Sequence, residues 1–261
     1  MRLDFGTATD VGLRRRENQD RYLADGTLLA VADGLGGNSG GATAASIAID
    51  VLARRDRLES LDGLLALVGS ANTAIFEAAR RDPGLRDMST TLCVLADVAE
   101  EDRPSRLGVC NVGDSRAYML TSQGLSLLTV DHTISENLVR DGLISPAEAA
   151  THADRHTLTR SVGFERRVHV DAWEMTAPHG TRLLLCTDGV TNEMTETDIC
   201  EILGSVGEPG AAASALVQRA VRPGHGRDNA TAVVVDVVGG APDPAQSSAR
   251  TVTDFRAAVE V

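Results

Sequence analysis

The order in which strand-like and helix-like segments follow one another is the feature that most constrains the fold of this 261-residue chain. Segments with apolar residues at strand spacing come first, and two helical segments follow. Further strands, a second pair of helices and a last strand complete the pattern. Two antiparallel sheets packed face to face, with a helix pair outside each, would bury every apolar face. The order therefore predicts an α+β fold, a four-layer α/β/β/α sandwich of two antiparallel sheets flanked by helix pairs.

The individual segments are placed by their periodicity and by the residues that bound them. Asp25-Gly26 and Gln123-Gly124 are typical of hairpin turns, and Ser145-Pro146-Ala147-Glu148 is typical of a capped helix start. The predicted strands are 22–23, 27–32, 91–98, 106–112, 115–120, 125–129, 168–175, 181–187 and 230–238. The predicted helices are 43–55, 61–80, 196–203 and 210–221, with a polar helical stretch over 132–160.

The composition is that of one sizeable domain. Apolar residues make up 43% of the chain, which is enough for a substantial core. The sequence has no internal repeat and no change of composition that would separate a second domain. The segment after residue 238 begins GGAPDPAQSSAR, which is typical of a loose tail. We therefore expect one domain over residues 1–240 and a loose tail over 241–261.

Charge and residue usage exclude several classes of protein. The formal net charge is −12, and no stretch concentrates enough arginine to offset it, so nucleic acid is not an expected partner. All 25 basic residues are arginine, which excludes mechanisms that need a lysine. The four cysteines form no CxxC pair and are expected to be reduced thiols of a cytoplasmic protein. No apolar stretch reaches the roughly 18–20 residues of a membrane span, so no membrane contact is expected.

Two of the five Asp-Gly pairs stand where an ordinary turn does not explain them. Asp33 and Asp188 each end an apolar strand, LLAVAD in one case and RLLLCTD in the other. A carboxylate at the end of a buried strand is costly unless a cation lies beside it. The glycine that follows lets the backbone approach a ligand closely. The pairs at 25, 62 and 141 fit turns or a helix start.

Two further aspartates lie at strand ends. Asp228 comes just before the last strand, and Asp114 lies at the junction of two central strands. Because carboxylates are the ligands that Mg²⁺ and Mn²⁺ prefer, four aspartates in such positions predict an oxygen-rich site for these cations. The Gly-rich loop over 34–41 matches neither common phosphate motif. Ala42 stands where a P-loop needs lysine, and Ser39 stands where the dinucleotide fingerprint needs its third glycine.

Eight segments, taken in order, resemble one protein family. They are TDVGLRRRENQD, VADGLGG, MSTTL, NVGDSRAY, DHT, LTRSVG, LLCTDGVTN and GRDNATAVVV. The set is similar to that of the type 2C metal-dependent serine/threonine protein phosphatases, above all the bacterial members. The resemblance covers roughly residues 4 to 238. It implies the double-sheet sandwich predicted above, with residues 1–240 as the phosphatase catalytic domain.

The resemblance also implies roles for the matching aspartates. Asp33 would bridge two Mg²⁺ or Mn²⁺ ions and would be central to catalysis. Asp188 and Asp228 would complete the protein ligands of the first ion, and the Gly34 carbonyl would face the second. Asp114 would belong to a third, weaker ion site shared with Asp188.

A second set of residues would support the ions and the phosphate. Asp20 would hold ion-bound water, with Gln19 and Asn229 beside it. Arg15 would grip two phosphoryl oxygens with its planar fork, and its neighbours Arg14 and Arg16 are alternatives if the loop register differs. Water shared by the two ions would become nucleophilic near neutral pH and attack phosphorus directly.

Two positions depart from the family pattern. Many relatives have Glu where this chain has Gln19, whose neutral oxygen would bind the second ion more weakly. Animal members have His, a candidate general acid, where this chain has Leu35, so the general acid stays open.

The segment over 133–157 aligns with the family's flap, a variable insert beside the metal centre. We expect it to gate entry and to contact protein substrates, with Arg140 and Arg155 as contact residues. His132, just before it, is expected to be structural, and His225 is expected to serve the loop before Asp228.

The expected protein is a hydrolase of bacterial signal transduction. We expect a cytoplasmic, monomeric protein-serine/threonine phosphatase whose substrates are phosphoproteins made by a serine/threonine kinase. Because some relatives continue into a membrane helix and this chain does not, a free enzyme is expected. The alternatives are a catalytically weak or partner-dedicated phosphatase, or a phosphoprotein-binding module of the same fold. The physiological substrate, the choice between Mg²⁺ and Mn²⁺ and the oligomeric state stay open.

Overall fold

A computed structural model describes residues 2–36, 40–98, 106–239 and 257–261. In chain order its strands are β1 (Arg2–Asp10), β2 (Arg21–Ala24), β3 (Leu28–Ala32), β4 (Gly34–Leu35), β5 (Ser89–Thr90), β6 (Leu92–Val98), β7 (Arg106–Val112), β8 (Arg116–Thr121), β9 (Gly124–Leu127), β10 (His169–Met175), β11 (Arg182–Cys186), β12 (Ala230–Gly239) and β13 (Ala257–Glu260). One antiparallel sheet has the order β1-β12-β11-β8-β9, and the other has the order β13-β10-β7-β6-β3-β2. Strands β4 and β5 form a small separate ribbon.

Helices cover the outer face of each sheet. The helices are α1 (Gly40–Ala53), α2 (Leu61–Arg81), α3 (Ile134–Arg140), α4 (Pro146–Ala149), α5 (Asp188–Thr191), α6 (Glu196–Ser205) and α7 (Pro209–Ala220). Helices α1 and α2 pack on the six-stranded sheet, whereas α6 and α7 pack on the five-stranded sheet. The four-layer sandwich predicted from the sequence is confirmed. No helix in the described part of the chain is long and apolar enough to cross a membrane.

Successive residues of the central strands face different layers of the sandwich. In β6, Leu92 and Val94 pack against the helices, while Cys93 and Leu95 face the other sheet. Strands β3, β7, β11 and β12 alternate in the same way between the inter-sheet core and a sheet–helix core. Because both faces of each strand are covered, apolar residues run on without polar interruption. This explains why LLAVA in β3 and LLLC in β11 are continuous apolar segments in the sequence.

Strand β1 is not predicted from the sequence, and its own residues explain why. It lies at the edge of its sheet, and only one of its nine residues, Leu3, is buried. Gly6 lies in its interior, where glycine normally weakens a strand. Here glycine is needed, because a Cβ on Gly6 would lie 2.1 Å from the backbone nitrogen of Gly210 in α7. The strand therefore depends on a contact with a helix more than 200 residues away.

The last five residues are not a loose tail. Strand β13 pairs antiparallel with β10, and Val261 exchanges two backbone hydrogen bonds of 3.0 Å with Val168. A Cβ on Gly69 of α2 would lie 3.2 Å from the Val261 side chain, so the valine packs against the helix at this glycine. The tail predicted over 241–261 is therefore wrong for 257–261, while 240–256 lie outside the described residues.

The flap over 133–157 is less helical than its pattern predicts. It contains only the short helices α3 and α4, joined by turns. The predicted capping box is present at the start of α4, where the Ser145 backbone N–H donates to Glu148 Oε2 at 2.8 Å. The two ends of the flap meet in a bridge between Thr133 and Leu158. The flap therefore leaves the sandwich and returns to it at neighbouring positions.

Asn72 ties α2 to the loop that follows the flap. Its side chain is fully buried. Its Oδ1 accepts from the Gly163 N–H at 2.7 Å, and its Nδ2 donates to the carbonyls of Glu165 (3.1 Å) and Arg166 (3.2 Å). Gly163 has φ +92°, and a Cβ there would lie 2.1 Å from the Ile75 side chain. One side chain therefore satisfies three backbone groups of a tightly packed loop.

We expect Asn72→Ala to lower the free energy of unfolding by about 2 kcal/mol, because the buried N–H of Gly163 loses its acceptor. Differential scanning calorimetry should show Tm falling by roughly 4–8 °C. Ser70→Ala on the same helix is the control, since its exposed hydroxyl bonds the Ala66 carbonyl one turn earlier. Equal Tm values for Asn72→Ala and the wild type would contradict this role.

Candidate metal centre

Asp33 follows β3, and its main chain is held on both sides. Its N–H donates to Thr91 Oγ1 at 2.9 Å. Its carbonyl accepts from the Thr91 N–H at 2.9 Å and from Thr90 Oγ1 at 2.8 Å. These bonds fix the point at which the strand ends, and with it the origin of the Asp33 side chain.

Asp188 follows β11 and opens the one-turn helix α5. Its Oδ2 accepts from Asn192 Nδ2 at 3.0 Å. The glycine after it is required, because a Cβ on Gly189 would lie 1.8 Å from the carbonyl of Asn229. This close approach brings the start of β12 beside the end of β11, and the charge of Asp228 therefore acts on Asp188.

Asp228 forms a two-pronged ion pair with Arg15. Arg15 Nε donates to Oδ1 at 2.8 Å, and Nη2 donates to Oδ2 at 2.6 Å. The turn before Arg15 contains Gly12, whose φ is +75° and whose Cβ would lie 2.2 Å from the Asp228 carbonyl. Of the three consecutive arginines considered from the sequence, Arg15 is the one that lines the cleft described below.

Asn229 pins the loop that carries Arg15. Its Oδ1 accepts from the Gln19 N–H at 2.8 Å, and its Nδ2 donates to the carbonyls of Val11 (2.9 Å) and Glu17 (3.0 Å). The residue is buried. One amide at the start of β12 thus holds both ends of the loop over 11–19, which places its arginine beside the aspartates.

Asp20 lies buried behind the other carboxylates. Its Oδ2 accepts from Thr187 Oγ1 at 2.8 Å and from Thr231 Oγ1 at 2.7 Å. Thr187 directly precedes Asp188, and Thr231 follows Asp228 by three positions on the neighbouring strand. The side chain of Asp20 is therefore anchored to the same strand ends that carry Asp188 and Asp228.

Gln19 and Gly34 meet at the start of α1. A Cβ on Gly34 would lie 2.2 Å from the carbonyl of Gly41 and 2.7 Å from that of Gln19. A Cβ on Gly41 would lie 2.6 Å from the Gln19 side-chain oxygen. Glycine at both positions allows three backbone segments to touch next to Asp33. That the Gly34 carbonyl faces an ion stays a prediction.

Asp114 is brought to Asp188 by the turn between β7 and β8. Its side chain is buried, and a third group, the imidazole of His156, reaches the same place from the flap. One ligand atom from each of Asp114, His156 and Asp188 lies within 4.8 Å of the others. These distances suit three ligands of one divalent cation.

His156 is not found by sequence reasoning. It lies in a polar insert of variable character, 42 positions from Asp114 and 32 from Asp188 in the numbering. No strand end or motif marks it. The one indication is its neighbour Arg155, which the flap alignment already places near the centre.

The carboxylates of the cluster destabilise one another when all are charged. Burial raises the pKa of Asp33 well above its ordinary value, and the charges of Asp20, Asp188, Asp114 and Asp228 raise it further. Burial and then the charge of Asp188 raise the pKa of Asp114 to about 8. Burial raises the pKa of Asp20 to about 7 against the hydrogen bonds of its two threonines. Burial and then Asp228 raise the pKa of Asp188. The cluster therefore favours protons or cations.

Two oxygen atoms of the cluster indicate that divalent cations fit. Oδ1 of Asp20 and Oδ1 of Asp188 are buried and have no hydrogen-bond partner among the described residues. Such an atom is costly in a protein interior unless something satisfies it. A hard cation satisfies it, and a donor set made mostly of carboxylate oxygens suits Mg²⁺ and Mn²⁺.

Three aspartates of the cluster, Asp114, Asp188 and Asp228, line an open cleft of about 670 Å³. Arg15, Arg155 and Arg227 bring positive charge to the same cleft. Arg140, the other flap arginine considered from the sequence, does not line it; its guanidinium donates to Asn137 Oδ1 at 2.9 Å. Such a cleft holds acidic groups for cations and basic groups for an anion side by side.

Glu193 is a second residue that sequence reasoning does not find. Its buried carboxylate lies 2.8 Å from His225 Nδ1 and accepts from Arg227 Nε at 2.9 Å. It thereby fixes the loop before Asp228 and holds Arg227 at the cleft. His225 takes part in this loop contact, in keeping with its predicted loop role.

Comparison with known sequences places the chain among phosphatases. A family model described as Protein phosphatase 2C matches residues 14–218. Serine/threonine protein phosphatase PstP of Mycobacterium tuberculosis is 36% identical over 241 residues, which are 90% of this chain and 45% of the relative. The chain thus spans less than half the length of that relative. Serine/threonine phosphatase stp of Listeria monocytogenes is 33% identical over 243 residues, which are 87% of this chain and 93% of the relative.

Solved structures agree with the sequence comparison. A crystal structure of M. tuberculosis PstP has a TM-score of 0.85 and 34% identity, covering 92% of this chain and 100% of that chain. The PstP catalytic domain in complex with two manganese ions has a TM-score of 0.79 and 34% identity, covering 91% and 99%. The family model, the relatives and the fold point the same way, and the resemblance noted from the sequence motifs is confirmed. The chain belongs to the protein phosphatase 2C family.

Proposed function

We propose that this protein is a metal-dependent phosphatase that hydrolyses phosphoserine and phosphothreonine in other proteins. The observation that supports it most is the convergence of Asp33, Asp188 and Asp228 on one cluster of carboxylates, in which one Asp188 oxygen is buried and has no hydrogen-bond partner among the described residues. Membership of the protein phosphatase 2C family supports the same activity.

Three aspartates would hold the central pair of Mg²⁺ or Mn²⁺ ions. Asp33 would bridge both ions, Asp188 and Asp228 would complete the first, and the Gly34 carbonyl would face the second. The neutral side chain of Gln19 is a weaker ligand than a carboxylate, so we expect the second ion to bind more loosely than the first.

The bound ions would supply the Lewis acidity that makes water nucleophilic near neutral pH. The chain's own residues would orient the reactants. Arg15 presents Nε and Nη2 as a planar pair, seen in its two bonds to Asp228, and the same pair matches two phosphoryl oxygens. Asp20 is held through Oδ2, which leaves Oδ1 placed to accept a hydrogen bond from the attacking water.

A third, weaker cation would be held by Asp114, Asp188 and the flap residue His156. The imidazole nitrogen would make this position more favourable to Mn²⁺ than to Mg²⁺, because Mg²⁺ prefers oxygen ligands. A cation here would also join the flap to two strand ends of the sandwich.

The natural substrates would be phosphoproteins made by a serine/threonine kinase, with Arg155 carried to the cleft by the flap. All four cysteines are free thiols and three are buried, which supports work in a reducing compartment such as the cytoplasm. A monomer would suffice, since every proposed ligand comes from one chain. A phosphoprotein-binding protein without turnover is the alternative, and Gln19 is the residue that favours it.

We expect the wild type to hydrolyse p-nitrophenyl phosphate and phosphothreonine peptides when Mn²⁺ is supplied. Asp188→Asn should lower kcat/KM by about 100-fold or more, because one ligand shared by two cation sites loses its charge. Initial rates with Mn²⁺ and with a chelator measure both effects. Asp62→Asn is the matched control, since it alters another Asp-Gly pair, exposed at the start of α2, and should keep full activity.

If the wild type binds Mn²⁺ but stays inert on both substrates, the binding-protein alternative is right. If it neither binds Mn²⁺ nor turns over substrate, the proposed metal centre is wrong. Calorimetric titration with Mn²⁺ separates these two results.

Stability of the chelator-treated protein should depend on pH through Asp20. Its pKa is about 7 in the folded protein and about 3.9 in an unfolded chain, so protonation favours folding. This contribution is fully present below about pH 4 and is lost as pH rises through about 7. We expect the Tm of the wild type to fall between about pH 5 and 8. Over the same range Asp20→Asn should remove on the order of 3 kcal/mol of the loss in the free energy of unfolding.

Thermal melts with chelator across this pH range provide the measurement. Asn at this position can still accept from both threonine hydroxyls, so the comparison isolates the charge. Saturating Mn²⁺ should flatten the wild-type trend, because cations replace protons in the cluster. A variant whose Tm follows the wild type at every pH would rule out this account.

We expect Arg155→Gln to lower kcat/KM for a phosphothreonine peptide by about tenfold and to leave p-nitrophenyl phosphate hydrolysis nearly unchanged. The guanidinium lies in the cleft, where it would contact the peptide beside the phosphorylated residue. Arg140→Gln is the matched flap control and should affect neither substrate. Equal losses on both substrates would show that Arg155 serves catalysis or folding and not peptide recognition.

A further inference from the structure

His132 lies at a junction that the proposed reaction does not use. It stands one residue before the flap and is only 3% exposed. Both ring nitrogens and both backbone polar groups have partners, which belong to three separate parts of the chain. His132 therefore joins these three parts of the chain directly.

On one side His132 grips the turn that presents Asp114. Its Nδ1 accepts from the Gly113 N–H at 3.0 Å, and its own N–H donates to the Gly113 carbonyl at 3.0 Å. Gly113 has φ +100°, and a Cβ there would lie 2.6 Å from the Thr91 side chain. The conformation of this glycine sets the direction in which Asp114 leaves the turn, and His132 holds both of its polar groups.

On the other side the ring meets Asp171 of β10. Its Nε2 lies 3.2 Å from Asp171 Oδ2, while Arg160 Nη1 donates to Asp171 Oδ1 at 2.9 Å. Because Nδ1 accepts a hydrogen bond, the neutral ring carries its proton on Nε2 and donates it to Asp171. This pairing fixes both the tautomer and the orientation of the ring.

The backbone of His132 joins the two ends of the flap. Its carbonyl accepts from the Thr159 N–H at 2.8 Å, just after the flap returns to the sandwich. The next residue, Thr133, forms the bridge with Leu158. A tilt of the flap ends therefore moves His132 directly.

We propose that His132 is a positioning residue that couples the flap ends to the Asp114 turn, so that the position of the flap sets how well Asp114 holds its cation. This inference rests on the proposed third cation site. A phosphoprotein that presses on the flap would change cation binding at Asp114 through the ring and the Gly113 peptide. Residues that support metal ligands in this way commonly change metal affinity by 10–100-fold when replaced.

Two substitutions separate the two ring contacts. In His132→Asn, the asparagine Oδ1 lies near the position of the histidine Nδ1. It can still accept a hydrogen bond from the Gly113 N–H, but the shorter side chain does not reach Asp171. In His132→Gln, the glutamine amide reaches toward Asp171 as the histidine Nε2 does. This side chain has no acceptor near the Gly113 N–H. Both variants lose the packing of the imidazole ring to a similar extent. The difference between them therefore tests the hydrogen bond with Gly113.

Amide hydrogen exchange of Gly113 and titration with Mn²⁺ are the two readouts, with Asp114→Asn as the reference that lacks the third site. We expect His132→Gln to speed exchange of the Gly113 amide by about tenfold, the equivalent of one hydrogen bond. His132→Gln should also lower the affinity for one Mn²⁺ ion, the ion whose binding Asp114→Asn abolishes, by about 10–100-fold. The affinity for the central pair of ions should not change. His132→Asn should stay within about threefold of the wild type in both readouts.

The proposal is overturned if both variants exchange and bind Mn²⁺ like the wild type. It is equally overturned if both lose protection and Tm in parallel, since that result describes a core histidine. If Asp114→Asn binds as many Mn²⁺ ions as the wild type, the third cation site is wrong. The coupling proposed for His132 then fails with that site, while the proposed phosphatase activity is judged separately by the Asp188→Asn assay.

Discussion

Mutual repulsion among closely spaced carboxylates is the constraint on which the rest of this structure depends. Asp33 comes from the end of a strand in one sheet, whereas Asp188 and Asp228 flank neighbouring strands of the other. Face-to-face packing of the sheets alone would not bring these groups so close. Glycines let the backbone segments that carry these aspartates lie in direct contact. Gly189 against Asn229 is one example, since any side chain there would collide. The charge cost that results is the same property that makes the cluster a good host for divalent cations.

Much of this arrangement can be predicted because it is encoded in short stretches of chain. Strands covered on both faces leave continuous apolar runs, and an aspartate that ends such a run stands out against the turns in which Asp-Gly usually occurs. That local contrast is enough to single out Asp33 and Asp188 in the sequence. Arg15 is singled out by the family motif, three positions after Gly12, and it pairs with Asp228 in the structure.

The rest depends on contacts between distant residues, which no local pattern records. Strand β1 pairs with β12 along its whole length, and its Gly6 leaves room for α7, a helix more than 200 positions away. His156 reaches the cluster only through the path of the flap. Asn229 is expected beside the ions, but its observed contacts fasten the loop over 11–19 through three hydrogen bonds to residues more than 200 positions away. Sequence reasoning finds the aspartates of the cluster more readily than the residues that hold them in place.

The pairing of β13 with β10 affects how the molecule meets its neighbours. An uncovered outer strand offers a row of N–H and C=O groups to any extended peptide, and such rows promote sheet-to-sheet aggregation. Residues 257–261 occupy that row on β10, so the six-stranded sheet presents the short β13 as its border on this side. Val261 lies beside α2, at the edge of this sheet opposite β2, so this border is held both by strand pairing and by contact with a helix.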